Sequence, residues 1–203
     1  MQGIYKKIYE LAGPYLDTRS NDIHTRTAYS FALKLLEAEG GDEEIVIPAV
    51  LLHDVGWKTV PEELQIKAFG PGRVDPEINR IHEVEGAKIA RELLRQVGYD
   101  PALVDQIAEI IQGHDSRREA ISLNDALVKD ADKLWRFSHA AIGVDPLRFQ
   151  VDPRDHMVWL GDCIYDWFFT ETGINTALAE QKFRLQELEV NPQIAQMCTD
   201  EKI

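Results

Sequence analysis

Cysteine is nearly absent. Cys163 and Cys198 are the two in 203 residues, and with no CxxC pair or framework spacing they support neither a zinc ribbon nor a disulfide scaffold. Both read as free thiols. Positive charge is also short, since 22 Lys and Arg against 35 Asp and Glu leave a formal net charge of −13. The bases are scattered along the chain, which excludes a protein that tracks a nucleic-acid polymer or an anionic membrane. Small phosphorylated compounds stay open as ligands, because a local cluster of cations outweighs a distant field screened by salt. No apolar run nears the roughly 20 residues of a membrane span, and Met1-Gln2-Gly3-Ile4-Tyr5-Lys6-Lys7 lacks the apolar stretch of a secretory signal. A cytoplasmic location is expected. Strand alternation is missing throughout, as are a Walker loop, a GxSxG elbow and a Rossmann glycine pattern.

What is present is helical periodicity, and it points to an all-α, single-domain helical bundle. Ile4, Ile8, Leu11 and Ala12 give a short helix before Pro14. A second helix, capped by Asn21 or Asp22, carries His24, Ala28, Phe31 and Leu35 on one stripe and stops at Gly40-Gly41. A third, capped by Asp42, contains Pro48 and runs through Val50-Leu51-Leu52 to His53-Asp54-Val55-Gly56-Trp57. It is apolar nearly all round, as a central buried helix is, and Gly56 marks its end.

Residues 57 to 78, with Pro61, Gly70, Pro71, Gly72 and Pro76, read as a long loop with a helical turn at 62 to 68, of a length often used for lids. Further helices are expected from about Glu77 to Val97, from Pro101 to Gly113, and from Ser122 or Asn124 to about Ala141. A last one runs from about Asn175 to Val190. Residues 1–142 form the expected core and 143–203 a C-terminal helical layer packed on it. The aromatic crowd Trp159, Tyr165, Trp167, Phe168 and Phe169 belongs to that layer, with a homodimer surface or a substrate cap as the alternative use.

Chemistry concentrates in a series. His24, His53, His82 and His114 follow one another at steps of 29, 29 and 32 residues, Asp54 adjoins His53, and Asp132 lies in Lys129-Asp130-Ala131-Asp132-Lys133-Leu134. Charged side chains at the end of a buried segment need a partner, and a metal ion is one. Mixed imidazole and carboxylate ligation suits Fe, Mn, Co, Ni or Zn better than Ca or Mg. One ion would take His24, His53, Asp54 and Asp132, and two ions would add His82 and His114 with Asp54 as the bridge. At 203 residues the chain needs no metal merely to fold, so such a site serves chemistry.

The pattern H…HD…H…H…D over roughly residues 20 to 140 resembles the HD-domain superfamily of metal-dependent phosphohydrolases. Its most specific pieces are Leu51-Leu52-His53-Asp54-Val55-Gly56 and Val128-Lys129-Asp130-Ala131-Asp132-Lys133-Leu134. The resemblance implies an all-helical bundle with His24, His53, Asp54 and Asp132 as ligands of a first metal. His82 and His114 are similar to the extra histidines of binuclear members, although the gap from His114 to Asp132 is shorter than in some of these. Asp132, followed by a base and an apolar residue, matches the closing aspartate, and Asp130 is then a supporting or surface group.

The implied reaction is hydrolysis of a phosphate ester, of a nucleotide or another small phosphorylated metabolite, by metal-activated water. Asp54 or Asp115 would orient or deprotonate that water. Lys58, Arg117, Arg118 and Lys133 are the candidate phosphate-binding bases, Lys133 foremost because the family often places such a base beside this aspartate. His139 is on the face of Asp132 but reads as core or surface, and Trp135, Trp159 and Trp167 read as core with nucleobase stacking as the alternative. The same ligand set also resembles di-iron oxygenases of the superfamily, and a non-catalytic nucleotide sensor is the third reading.

Overall fold

The structure, a computed structural model, describes residues 1–68 and 75–190. Among the described residues it is helical, without strands. In chain order run α1 (Gly3–Leu16), α2 (Asn21–Glu39), α3 (Glu43–Leu52), a 3-10 turn (Val55–Thr59), α4 (Glu62–Gln65), α5 (Pro76–Gln96), α6 (Pro101–Ile111) and α7 (Leu123–Leu134). A second 3-10 turn (Trp135–Phe137) leads into α8 (His139–Ile142), α9 (Asp145–Phe149), α10 (Pro153–Asp162), α11 (Ile164–Trp167) and α12 (Glu171–Val190).

α3 is the centre. Every residue from Ile45 to Leu52 is buried, each large aliphatic contributing roughly 2 kcal/mol, and α1, α2, α6 and α7 pack round it. Pro48 lies in its second turn and cannot donate to Glu44, four residues back. The Tyr99 hydroxyl donates to that carbonyl instead, at 2.8 Å, so the helix continues through the proline. α1 likewise passes the expected stop at Pro14 and ends at Leu16. There the proline falls in the last turn, so the i→i−4 bond it cannot donate is lost only at the end of the helix.

Several element ends differ from expectation for reasons that are local. α2 has no side-chain cap, because Ser20, in the left-handed region at φ 59, precedes Asn21 and offers its carbonyl to Ile23 N and His24 N. Ser122 rather than Asn124 caps α7, its hydroxyl accepting from Asp125 N, while Asn124 Oδ1 accepts from Asp42 N and so ties α7 to the start of α3. α7 stops at Leu134, since Ser138 turns extended and caps α8 through Ala141 N. α12 begins at Glu171, four residues early, with the Thr170 hydroxyl accepting from Gly173 N. The expected loop from residue 57 holds the end of the 3-10 turn and α4, and Gly70, Pro71 and Gly72 lie outside the described residues.

The hydrophobic cluster is continuous from Ile8 through α3 and α7 to Met157, Leu160, Phe168 and Leu188. Trp159 and Trp167 meet edge-on at 5.6 Å in its outer part. The C-terminal helices are fastened by Asp130, which is fully buried and accepts from Phe169 N, Thr170 N and Thr170 Oγ1 at 2.8, 3.0 and 2.6 Å. Burial pushes its carboxyl up to about 6 against those three donors. A side chain at Gly173 would collide with Asp130 Oδ2, so the glycine keeps this contact open. No helix among the described residues is long and apolar enough to cross a membrane.

Asp130→Ala removes three buried hydrogen bonds and strands two backbone donors, and is expected to lower stability by about 3 kcal/mol. Urea denaturation followed by circular dichroism checks this, and a loss under ~1 kcal/mol would show that the C-terminal helices are held by other contacts.

Candidate metal centre

The four histidines reach one point by different routes. His24 lies in the first turns of α2 and points inward with Ala28 and Phe31. His53 closes α3, His82 is in the second turn of α5, and His114 follows α6. All four are buried, as are Asp54 and Asp132.

Packing at the 3-10 turn brings α5 in. A Cβ on Gly56 would run into the His82 carbonyl and the Gly86 amide, so Gly56 does not end a helix in a left-handed turn, as its position suggested. It lets two backbones touch, and His82 thereby arrives beside Asp54. Trp57 fixes both, stacking on the His82 ring at 3.9 Å and donating Nε1–H to Asp54 Oδ1 at 3.0 Å.

Donor atoms gather in two sets. His24 Nε2 and His53 Nε2 are 2.8 Å apart, and Asp132 Oδ1 is 3.2 and 3.5 Å from them. His82 Nε2 and His114 Nε2 are 3.3 Å apart, with Asp115 Oδ2 at 3.6 and 3.8 Å. Asp54 belongs to both. Its Oδ2 faces His24 and His53 at 3.6 and 3.7 Å, and its Oδ1 faces His114 and His82 at 3.6 and 3.9 Å.

The donor set fits a metal. His53 Nδ1 is 2.8 Å from Val50 O and His114 Nδ1 is 2.8 Å from Ile111 O. A carbonyl accepts only, so both rings carry the proton on Nδ1 and turn the Nε2 lone pair toward other lone pairs and carboxylates. Spacings near 3 Å are those of ligands about 2.1 Å from a common first-row ion. Groups of imidazole and carboxylate atoms close enough to hold an ion are His24, His53 and Asp132, then His53, Asp54 and His114, then His82, His114 and Asp115.

Without an ion the charges lean on each other. Burial by itself lowers His114, but Asp115, the bond to Asp54 and Glu83 outweigh it and lift the ring to about 9. His82 goes down to about 4, through burial and then His114. Burial raises Asp54 and Asp132, yet His53 and His114 for the first and Lys133 for the second hold them well below the usual carboxylate range.

The cavity above these donors is lined by Arg19, Asn21, Trp57, Lys133, Arg136 and Arg148 and opens to solvent. Lys133, expected there, is ion-paired with Asp115 and Asp132. The other expected bases are elsewhere. Lys58 donates to Asp17 O on the surface, Arg117 is taken by Asp125 and Glu109 O, and Arg118 is exposed outside the cavity. His139 pairs with Glu187 on the surface, and His156 is buried between Phe149 and Trp159.

Two supports had no signature in the sequence. Glu83, fully buried, accepts Asp115 N, Ser116 N and Ser116 Oγ at 2.9, 2.8 and 2.6 Å. Lys129, also buried, donates to the carbonyls of Gly113, His114 and Arg117. Together they clamp the turn that presents His114 and Asp115.

The HD domain family matches residues 21–136, more than half of the chain. A crystal structure of a predicted HD superfamily hydrolase from an uncultured Thermotogales bacterium is similar with a TM-score of 0.62 at 21% identity, covering 91% of this chain and 88% of that one. At that identity the likeness is one of fold. No curated protein matches the chain.

Glu83→Ala frees the turn that carries His114 and Asp115 and is expected to weaken binding of metal about 10- to 100-fold. Competition with a chromogenic chelator reads the affinity, and an unchanged value would remove Glu83 from the support of the site.

Proposed function

The chain belongs to the HD domain family, and from that premise we propose that it is a binuclear, metal-dependent phosphohydrolase acting on a small phosphate ester. One observation carries the reading: the two carboxylate oxygens of Asp54 face two separate pairs of histidines. A carboxylate so placed is suited to bridge two ions. His24, His53 and Asp132 would hold one, and His82 and His114 the other. When bound, divalent cations supply charge neutralisation of the phosphoryl oxygens and acidify water.

The chain does the rest. Asp115 lines the cavity with Oδ1 engaged by Lys133 and Oδ2 toward His82 and His114, so it can orient the attacking water and take its proton at Oδ2. Lys133, anchored by two carboxylates, sits where charge grows on the phosphoryl oxygens and needs no reorganisation to meet it. The polar cavity suits a phosphoryl group. Of its aromatic walls, Trp57 is held between Arg19 and His82, and Trp135 meets the His24 ring edge-to-face. Trp159 and Trp167 lie outside it.

Protein purified without chelators, then assayed on phosphate mono- and diesters with added manganese, cobalt, nickel or iron, is expected to hydrolyse esters in a chelator-sensitive way. Asp54→Ala is expected to lose about 1000-fold or more in turnover, and metal with it, while helical circular dichroism is kept. Turnover indifferent to chelator or to this substitution contradicts the proposal. Substrate-dependent oxygen uptake by iron-loaded protein would move the chain to the oxygenases.

A further inference from the structure

Three arginines meet at the mouth of the cavity, and sequence alone singled out none of them. Arg136 Nη1 and Arg148 Nη1 each donate to Asp145 at 3.0 Å, on different oxygens of a fully buried carboxylate. Arg148 Nη2 also donates to the backbone carbonyl of Arg19 at 2.6 Å. The Arg19 guanidinium lies 3.9 Å over Trp57. Asp145 therefore acts as a positioning residue, and the three cations are held side by side against their mutual repulsion. Burial takes Arg19 down to about 9, Asp54 opposing and Arg148 and Arg136 adding to the shift.

Two further observations point to a ligand. Asn21 lines the same cavity at 2% exposure, and its Nδ2 has no hydrogen-bond partner among the described residues. A buried donor left so is costly unless an acceptor arrives. Arg19 itself sits in the left-handed region at φ 56, next to Ser20 at φ 59, a conformation that disfavours side chains other than glycine, asparagine and aspartate. Such strain is kept where a side chain must be delivered to one place.

The reacting phosphoryl group does not need these residues for charge balance. Two divalent ions with Asp54, Asp115, Asp132 and Lys133 already leave a surplus that matches a phosphate dianion. The arginines add a second surplus. They also stand at or beyond both edges of the matched segment 21–136, with Arg19 before it and Arg148 and Asp145 after it.

Resting on the hydrolase reading, we propose that Arg19, Asn21, Arg136 and Arg148 form a subsite for a second anionic group of the substrate. The enzyme then acts on small phosphate monoesters that also carry a carboxylate or another phosphate. The carboxylate or phosphate oxygens accept from the guanidinium groups and from Asn21 Nδ2, while the ester phosphate lies over the metal centre. Arg19 and Arg148, outside the matched segment, thus add specificity to a family scaffold.

A matched series tests this: propyl phosphate, the phosphate ester of 3-hydroxypropionate, and 1,3-propanediol bisphosphate, each assayed with metal-loaded enzyme. At least one doubly anionic ester is expected to exceed propyl phosphate about 10- to 100-fold in kcat/KM, and the better of the two identifies the second group. Arg148→Gln is expected to bring that ratio toward one. Arg19→Gly, which suits the left-handed backbone and keeps the fold, does the same. Apart from turnover, millimolar inorganic phosphate is expected to raise the Tm of metal-stripped wild type and not that of Arg148→Gln. Equal rates on all three esters, with no effect of phosphate on stripped protein, overturn the subsite and leave the hydrolase standing. Phosphate binding that depends on Arg148, without hydrolysis of any ester, supports the subsite and overturns the hydrolase.

Discussion

Buried lone pairs that face one another need a cation between them. Four imidazoles and three carboxylates converge here, with His24 Nε2 and His53 Nε2 2.8 Å apart, and backbone carbonyls commit the protons of His53 and His114 to the far side of each ring. Lys133 answers part of that demand by standing between Asp115 and Asp132. The remaining histidine nitrogens are left facing acceptors, an arrangement whose repulsion a divalent ion would turn into attraction. The bundle rests on its oily core, and this requirement governs the site within it.

Each helix delivers its donor through a contact that could not be replaced by generic packing. α3 brings His53 and Asp54 because it is buried all round and survives its own proline through the Tyr99 hydroxyl. α5 brings His82 because the glycine at 56 lets it press against the 3-10 turn. The turn after α6 brings His114 and Asp115 because Glu83 holds its amides and Lys129 its carbonyls. α7 brings Asp132 on one face and Asp130 on another, so the same helix serves the centre and fastens the C-terminal layer. Stability and function are thereby linked through α7.

The all-helical fold and the convergence of His24, His53, Asp54, His82, His114 and Asp132 could be read in the sequence, since a stripe of apolar residues says which way a histidine on it points, and a rare residue type recurring once per helical hairpin has little reason to do so otherwise. Asp130 and Asp132 were harder to separate, because only the packed helix shows that they diverge. The phosphate-facing bases were read by proximity along the chain, which failed for Lys58, Arg117 and Arg118. Cations near a ligand in sequence were drawn off by Asp17 O, Asp125 and solvent, while Arg19 and Arg148, 129 residues apart, meet through a chain reversal that no local pattern announces. Glu83 and Lys129 read as ordinary helical charges until burial shows what they hold. Helix ends missed by several residues did so where a serine or threonine outside the apolar pattern made a new cap, Ser138 for α8 and Thr170 for α12.

Crystals of protein purified without chelators, measured on both sides of the absorption edges of iron, cobalt, nickel, zinc and manganese, test the centre directly. Two anomalous peaks are expected to share Asp54, one beside His24, His53 and Asp132 and the other beside His82 and His114. A metal-saturated crystal with no peak at Asp54, or with its ions bound away from these histidines, would contradict it.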